Sequence, residues 1–136
     1  MKSVSVLIAN PDATIRQCLT QALEADSRFV VKWESENGAE VLCKCRHFAP
    51  DLVILDSHLS GLDGMEVTKI LRTRLSNARI IMTISVDSSR ERALRSGADD
   101  VMMLDSGCEM IRCKVREVLE RNLSQDNRTP LEICTL

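Results

Sequence analysis

The side chains with the strongest potential for chemistry stand directly after apolar runs. Asp56 follows Leu-Val-Ile-Leu at residues 52–55, and Asn10 and Pro11 follow the apolar run of residues 3–9. Open parallel sheets keep ligand sites at the carboxyl ends of their strands, so both strand ends are places to look for charged chemistry. A lone aspartate there is otherwise a helix cap or a solvated loop acid. The sequence therefore offers Asp56 as a candidate reactive carboxylate, whereas the first strand end has an amide and an imino acid.

The six cysteines are a second set of potentially reactive side chains. They fall mostly within helical patterns and not in a turn-rich disulfide framework. Cys43 and His47 are four residues apart and share a helix face, whereas Cys43 and Cys45 point away from each other. Two ligands do not complete a zinc site, so reduced thiols are favoured, with a redox or metal sensor as an alternative. The cysteines are Cys18, Cys43, Cys45, Cys108, Cys113 and Cys134.

Length and composition favour one cytoplasmic domain. The chain has 136 residues, of which 44% are hydrophobic and 28% charged, and its net charge is -2. This balance is typical of a globular domain and gives no general attraction to nucleic acid or membranes. No apolar run approaches the roughly 20 residues of a membrane span, and no signal sequence opens the chain. No GxGxxG or GxxxxGK[ST] motif follows the first strand, and we expect no enzymatic activity.

The elements that must position these residues alternate regularly along the chain. Apolar patterns predict strands at residues 3–9, 29–33, 52–55, 80–84 and 101–104. Between and after them, helices are predicted at residues 13–25, 38–48, 65–75, 88–96 and 109–123. Asp12 or Asn10 can cap the first helix, and Gly97 ends the fourth. Five strand-helix pairs predict an α/β fold, a doubly wound parallel sheet with helices on both faces.

Three segments together resemble a known family. PDLVILDSHLSGLDGMEVTKILR resembles the phosphoacceptor segment of bacterial response-regulator receiver domains, including the apolar strand that ends at Asp56 and the turn from Gly61 to Gly64. SGADDVMML resembles the loop and fifth strand of these domains, and VLIANPDATIRQCL their first strand and helix. The resemblance covers residues 1–123 and implies a flavodoxin-like (βα)5 fold with five strands in the order 2-1-3-4-5.

The resemblance also implies a phosphorylation site, in which Asp56 takes the phosphoacceptor position. In the family an acidic pair after the first strand holds Mg²⁺, and a lysine after the fifth strand bonds the phosphoryl oxygens. Here the acidic pair falls on Asn10 and Pro11, and the lysine falls on Leu104. Mg²⁺ prefers hard oxygen ligands, usually including carboxylates, so we expect weak or absent Mg²⁺ binding and no resident cofactor.

Other family positions also differ. The aromatic switch position falls on Val101, and the proline after the lysine falls on Asp105. The hydroxyl residue after the fourth strand falls on Ile84 in strict register. Thr83 or Ser85 could serve only after a slip of one residue, which would exchange the faces of the strand. These differences predict a degenerate, or atypical, receiver domain.

The function that follows is a phosphorylation-independent receiver acting in signal transduction through protein contacts or homodimerisation. We expect the fourth helix, fifth strand and fifth helix to form the interaction face, with Met102, Leu104 and Ile111 as candidate contacts. One alternative keeps Asp56 as a phosphoacceptor for a histidine kinase, with Asp12 and water rebuilding a weak metal site. The other is the cysteine-based sensor.

The C-terminal segment adds a prediction about domain organisation. Residues 124–129 (SQDNRT) are polar and are predicted to form a linker. RTPLEICTL at residues 128–136 resembles the start of a LuxR-type helix-turn-helix domain, and the first strand of a winged-helix domain is the alternative. We therefore expect residues 1–123 to be the receiver domain of a transcription regulator, and residues 124–136 to lead into a DNA-binding output domain. DNA binding would belong to that missing domain.

Overall fold

The computed structural model contains five strands and five main helices in strict alternation. It describes residues 3–74, 77–107 and 109–128, with the backbone alone for residues 106 and 122–128. The strands are β1 (Val4–Ala9), β2 (Phe29–Ser35), β3 (Leu52–Asp56), β4 (Arg79–Ile84) and β5 (Asp100–Met103). The helices are α1 (Ala13–Glu24), α2 (Gly38–Phe48), α3 (Gly64–Arg74), α4 (Arg90–Ser96) and α5 (Met110–Arg128). Short 3-10 turns span Asp87–Ser89 and Leu104–Ser106.

The strands form one parallel sheet in the order β2-β1-β3-β4-β5, which confirms the predicted fold class and topology. Every residue of β3 is buried, because helices cover both faces of the central strand. Val53 and Leu55 belong to one core cluster with residues of α2 and α3, whereas Leu52 and Ile54 belong to a second with residues of α1 and α5. The two-sided core explains why apolar runs, and not alternation, mark the strands.

The C-terminal end of the fold differs from the prediction. Helix α5 continues to Arg128 and does not end at residue 123, so residues 124–128 of the predicted linker are helical. The polar residues there include no glycine or proline, so nothing in this stretch breaks the helix. Residues 129–136, on which the predicted output domain falls, lie outside the described residues. In the described part of the chain, no helix is long and apolar enough to cross a membrane.

The loop after β3 is held close to the strand end by two glycines. A Cβ on Gly64 would lie 2.3 Å from the carbonyl oxygen of Asp56, and a Cβ on Gly38 would lie 2.5 Å from that of Leu62. Neither approach leaves room for a larger residue. Gly38 also donates its backbone N–H to the carbonyl of Ser60 across 3.1 Å. The loop that follows Asp56 is thus packed against the start of both α2 and α3.

Candidate functional site

Asp56 lies at the carboxyl edge of the sheet and is satisfied by two neutral donors. Its side chain is buried, with 8% of the residue exposed. The Thr83 hydroxyl donates to Oδ1 across 2.8 Å, and the backbone N–H of His58 donates to Oδ2 across 2.9 Å. Among the described residues, no cation bonds this carboxylate. Each oxygen therefore already has a hydrogen-bond partner within the chain.

The pairing of β3 with β4 decides which hydroxyl reaches Asp56. Asp56 lies opposite Thr83 in the parallel register, so the two side chains project at neighbouring positions on the same face. The side chain of Ile84 points to the other face and is buried in the core with Met82. Ser85 is exposed just beyond the strand. The register of β4 against β3 thus brings the Thr83 hydroxyl to Asp56 without any slip of the strand, whereas Ile84, on which the family's hydroxyl position falls, does not reach the carboxylate.

Asn10 and Pro11 follow β1, where the resemblance implies an acidic pair. Asn10 is buried, and its Oδ1 accepts from the backbone N–H of Asp12 across 2.8 Å. Pro11 is exposed and has no side-chain oxygen. Asp12 is the N-cap of α1, with its Oδ1 accepting from the N–H of Thr14 across 2.8 Å. The capping alternative for Asp12 is thus the one observed, and Asn10 stabilises the turn before it.

A guanidinium group lies beside this turn. Arg16 Nη1 donates to the backbone carbonyl of Asn10 across 2.5 Å, and its Nε pairs with Glu34 Oε1 at 2.8 Å. Mg²⁺ requires several hard oxygen ligands, usually with one or two carboxylates among them. Here Asp56 is the one carboxylate that the strand ends themselves provide, and the Asn10 carbonyl already accepts from a cation. Asn10 and Pro11 thus provide no second carboxylate for a divalent ion, and Asp56 would have to bind one together with neutral oxygens.

The positions after β5 offer no fixed cation. Val101 is buried in the core with residues of α3 and α4. Leu104 lies in the 3-10 turn after β5 and packs, half-buried, against the cluster that contains Ile111 and Val115. An aliphatic side chain at this position cannot donate a hydrogen bond to a phosphoryl oxygen. Asn10, Pro11 and Leu104 thus occupy the positions on which the resemblance places the two acids and the lysine.

The predicted interaction face needs a correction. Met102 and Ile111 are buried in the core between the sheet and α5, at 4% and 0% exposure, so neither is available to a partner. They are buried because alternate residues of β5 and the inner stripe of α5 face each other. The exposed large apolar side chains on this side of the molecule are Val86, Leu94 and Met110. Leu94 has a sequence signal, since it interrupts the charged segment RERALRS, whereas exposure of Val86 and Met110 depends on the tertiary fold.

The four cysteines that the structure describes are free thiols. Cys43 is exposed and its Sγ lies 3.8 Å from Nδ1 of His47, as the helical spacing predicts. Cys45 points into the core, and burial raises its pKa to about 12. Cys18 and Cys113 are exposed elsewhere on the molecule. Within the described ranges, no three or more His, Cys, Asp or Glu side chains are grouped to hold a metal ion.

Comparison with known proteins agrees with the fold. The profile of the response regulator receiver domain family matches residues 6–116. The chain is 29% identical over 126 residues to the response regulator MprA of Mycobacterium bovis, a match that covers 91% of this chain and 54% of that protein. It is 32% identical over 120 residues to a protein-glutamate methylesterase/protein-glutamine glutaminase of Halalkalibacterium halodurans, covering 85% of this chain and 35% of that protein. The chain thus spans about half or less of these relatives.

The backbone of this chain is also similar to that of a solved receiver domain. The receiver domain of AraT, a response regulator from Geobacillus stearothermophilus, superimposes with a TM-score of 0.80 at 27% identity and covers 91% of this chain and 98% of that one. The methylesterase named for the second relative is a longer protein, of which this chain covers 35%. The family profile, the relatives and the sheet order all agree. The chain belongs to the response regulator receiver domain family, the receiving modules of two-component signalling.

Proposed function

We propose that this receiver domain transmits its signal without an aspartyl phosphate, through protein contacts in a cytoplasmic transcription regulator. One observation carries the proposal. Both oxygens of Asp56 are engaged by neutral donors of the same chain, Thr83 and His58, in a site without metal-binding acids. Phosphoryl transfer depends on positioning and on neutralising negative charge with cations. The site retains the carboxylate of Asp56. It lacks the metal-binding acids and the lysine that would neutralise the charge of an aspartyl phosphate.

The residues that replace the metal ligands support the same function. Asn10 and Asp12 use their side-chain oxygens for local capping. One unit-charge pair at about 4 Å is worth roughly 4 kcal/mol at a surface-like dielectric before desolvation, so losing two acids weakens a divalent site by orders of magnitude. We expect Mg²⁺ binding at Asp56 to be weak or absent. The residues after β1 then act as structural caps.

The test is phosphorylation by a small donor. The protein is incubated with acetyl phosphate and Mg²⁺, and intact mass spectrometry measures the phosphorylated fraction. We expect no phosphate on the natural chain. The matched control is the triple variant N10D/P11D/L104K, which restores the acids and the lysine around Asp56 and should gain label. Stoichiometric labelling of the natural chain at Asp56 would reject the proposal.

Exposed apolar residues beside α4 and α5 support a contact surface on this side of the domain. Leu94 and Met110 are 44% and 51% exposed, and Val86 is 52% exposed. Symmetric pairs are the commonest protein assemblies, so we propose a homodimer through the surface formed by α4, β5 and α5.

Sedimentation velocity should show a dimer that the L94E/M110E variant weakens. The control F48E alters an exposed apolar residue on α2 and should leave the dimer intact, and equal loss in both variants would argue against this surface.

The second candidate function is a phosphorylatable receiver, and the position of Thr83 favours it. A hydroxyl at 2.8 Å from Asp56 can also bond a phosphoryl group on that residue. A histidine kinase would then be the partner, with Asp12 turning from its cap toward the metal. The phosphodonor experiment distinguishes the two functions directly. In both, DNA contacts would belong to an output domain outside the described residues.

A further inference from the structure

The groove between α2 and α3 is an unassigned cavity with mixed chemistry. Its volume is about 570 Å³, within the range of small-molecule sites. Leu42, Ile70 and Leu71 provide apolar walls, and Arg46 and Arg74 provide guanidinium groups from the two facing helices. Cys43 and His47 complete the lining. The groove lies on helices and not at the strand ends, so it is separate from the Asp56 site.

The two arginines of the groove differ from the basic residues next to them. Arg46 and Arg74 are exposed, and neither forms an ion pair or side-chain hydrogen bond with any residue that the structure describes. Their neighbours behave differently: Lys44 pairs with Glu40, and Arg72 pairs with Asp99. No Asp or Glu contributes to the groove lining. The groove therefore presents an uncompensated positive charge beside an apolar wall.

We propose that this groove binds a small amphipathic carboxylate, a compound with one carboxylate group on an aliphatic chain or an aromatic ring. Arg46 and Arg74 supply the planar donors that match carboxylate geometry. Leu42 and Ile70 contact the apolar part, and burial of that part provides most of the affinity. The volume of the groove lies in the range of small-molecule sites.

The exposed thiol of Cys43 provides a reporter inside the groove. The experiment measures alkylation of each cysteine by iodoacetamide, using peptide mass spectrometry, with and without millimolar octanoate. We expect octanoate to slow alkylation of Cys43 about threefold or more while leaving Cys18 and Cys113, which lie outside the groove, unchanged. Cys45 is buried and reports folding, so it must stay unmodified throughout.

Three comparisons establish that the charge is recognised. Octanamide, which has the same chain without the charge, should protect Cys43 more weakly than octanoate. The R46Q/R74Q variant should need about fivefold more octanoate for the same protection. The matched control R92Q changes an exposed arginine on α4, away from the groove, and should behave as the natural chain. Equal protection by octanamide, no loss in R46Q/R74Q, or equal slowing of Cys18 and Cys113 would each overturn the proposal.

Discussion

Asp56, which is buried, and Asp99, which is partly buried, are two carboxylates with different hydrogen-bond partners. Asp99 accepts from Arg72 Nη2 and from the backbone N–H of Ile80, both at 2.7 Å. Asp56 accepts from a hydroxyl and a backbone N–H at 2.8 and 2.9 Å. The geometry is similar, but a cation neutralises one carboxylate and not the other. Asp99 connects α3 to β4, whereas Asp56 remains a buried negative charge supported by dipoles.

The presence or absence of a cationic partner indicates different roles for the two carboxylates, a structural role for Asp99 and a chemical one for Asp56. A buried carboxylate with a guanidinium partner is stabilised as a pair, and removing either partner leaves an uncompensated charge. A buried carboxylate held by neutral donors alone has no partner of opposite charge to compensate its desolvation. The comparison therefore predicts somewhat larger stability effects around Asp99 than around Asp56.

The largest expected effect follows replacement of Arg72 by methionine. Arg72 also donates to the carbonyls of Gly97 and Ala78, so R72M removes one ion pair and at least two further hydrogen bonds. We expect a loss of about 2–3 kcal/mol in the free energy of unfolding, measured by urea titration. The control R95M removes the exposed pair with Glu91 and should cost less than about 0.5 kcal/mol. If R72M and R95M lost similar amounts of unfolding free energy, the partly buried pair with Asp99 would be no more stabilising than the exposed pair with Glu91.

Replacement of Thr83 by valine should have the next largest effect. T83V keeps the shape and removes the donor to Asp56, so the carboxylate loses one of its two bonds. A loss of about 1.5–2 kcal/mol in unfolding free energy is expected, because the acceptor is charged and buried. T83S should retain most of the stability. In a double-mutant cycle with D56A, which removes the acceptor, a coupling energy near zero would show that the Thr83 bond to Asp56 contributes nothing.

Restoring the missing charges sharpens the comparison at the site itself. In the N10D/P11D/L104K variant, new acids occupy the two positions after β1 and a cation lies after β5. Isothermal titration should show Mg²⁺ affinity at least about tenfold above that of the natural chain, equivalent to roughly 1.4 kcal/mol. The variant N10D/P11D, without the lysine, separates metal binding from phosphoryl stabilisation. Tight Mg²⁺ binding by the natural chain would contradict our account of Asp56.

The smallest effect concerns Asp26, a third carboxylate on the surface near α1. Hydrogen bonds from the Arg28 side chain and backbone, together with Arg116, hold the pKa of Asp26 well below its usual value of 3.8. A lowered pKa in the folded state means that Asp26 stabilises the fold above pH 3.8 and loses that contribution as the pH falls further. The melting temperature of D26N should therefore lie slightly below that of the natural chain at pH 7, and the gap should close at lower pH. A constant gap would show that ionisation of Asp26 is not involved.

The sheet was predictable because its signals are local. The apolar runs before Asp56 and before Asn10 are buried strands in the structure, and the ends of α1 and α4 match their capping residues Asp12 and Gly97. The end of α5 was not predictable in the same way. Polar residues beyond residue 123 are compatible with both a linker and a helix, so propensity alone could not decide.

The site was only partly predictable. Counting along the chain located Asn10, Pro11 and Leu104 at the strand ends, where the structure also has them. Counting could not show that Thr83 is the neighbour of Asp56, since this depends on how β4 is registered against β3. The α2–α3 groove was missed for a related reason. Arg46 and Arg74 are distant in sequence and come together only when the two helices pack.

By itself, the sequence determined which side chains stand at the strand ends: the carboxylate of Asp56, the amide of Asn10, and the apolar side chains of Pro11 and Leu104. Only the tertiary structure decided which partners those side chains have. The Thr83 hydroxyl bonds Asp56. Met102 and Ile111 lie in the core. The guanidinium groups of Arg46 and Arg74 line one groove. The physical reason is that side-chain chemistry is a property of each residue, whereas hydrogen-bond partners and burial depend on strand register and helix packing across distant parts of the chain.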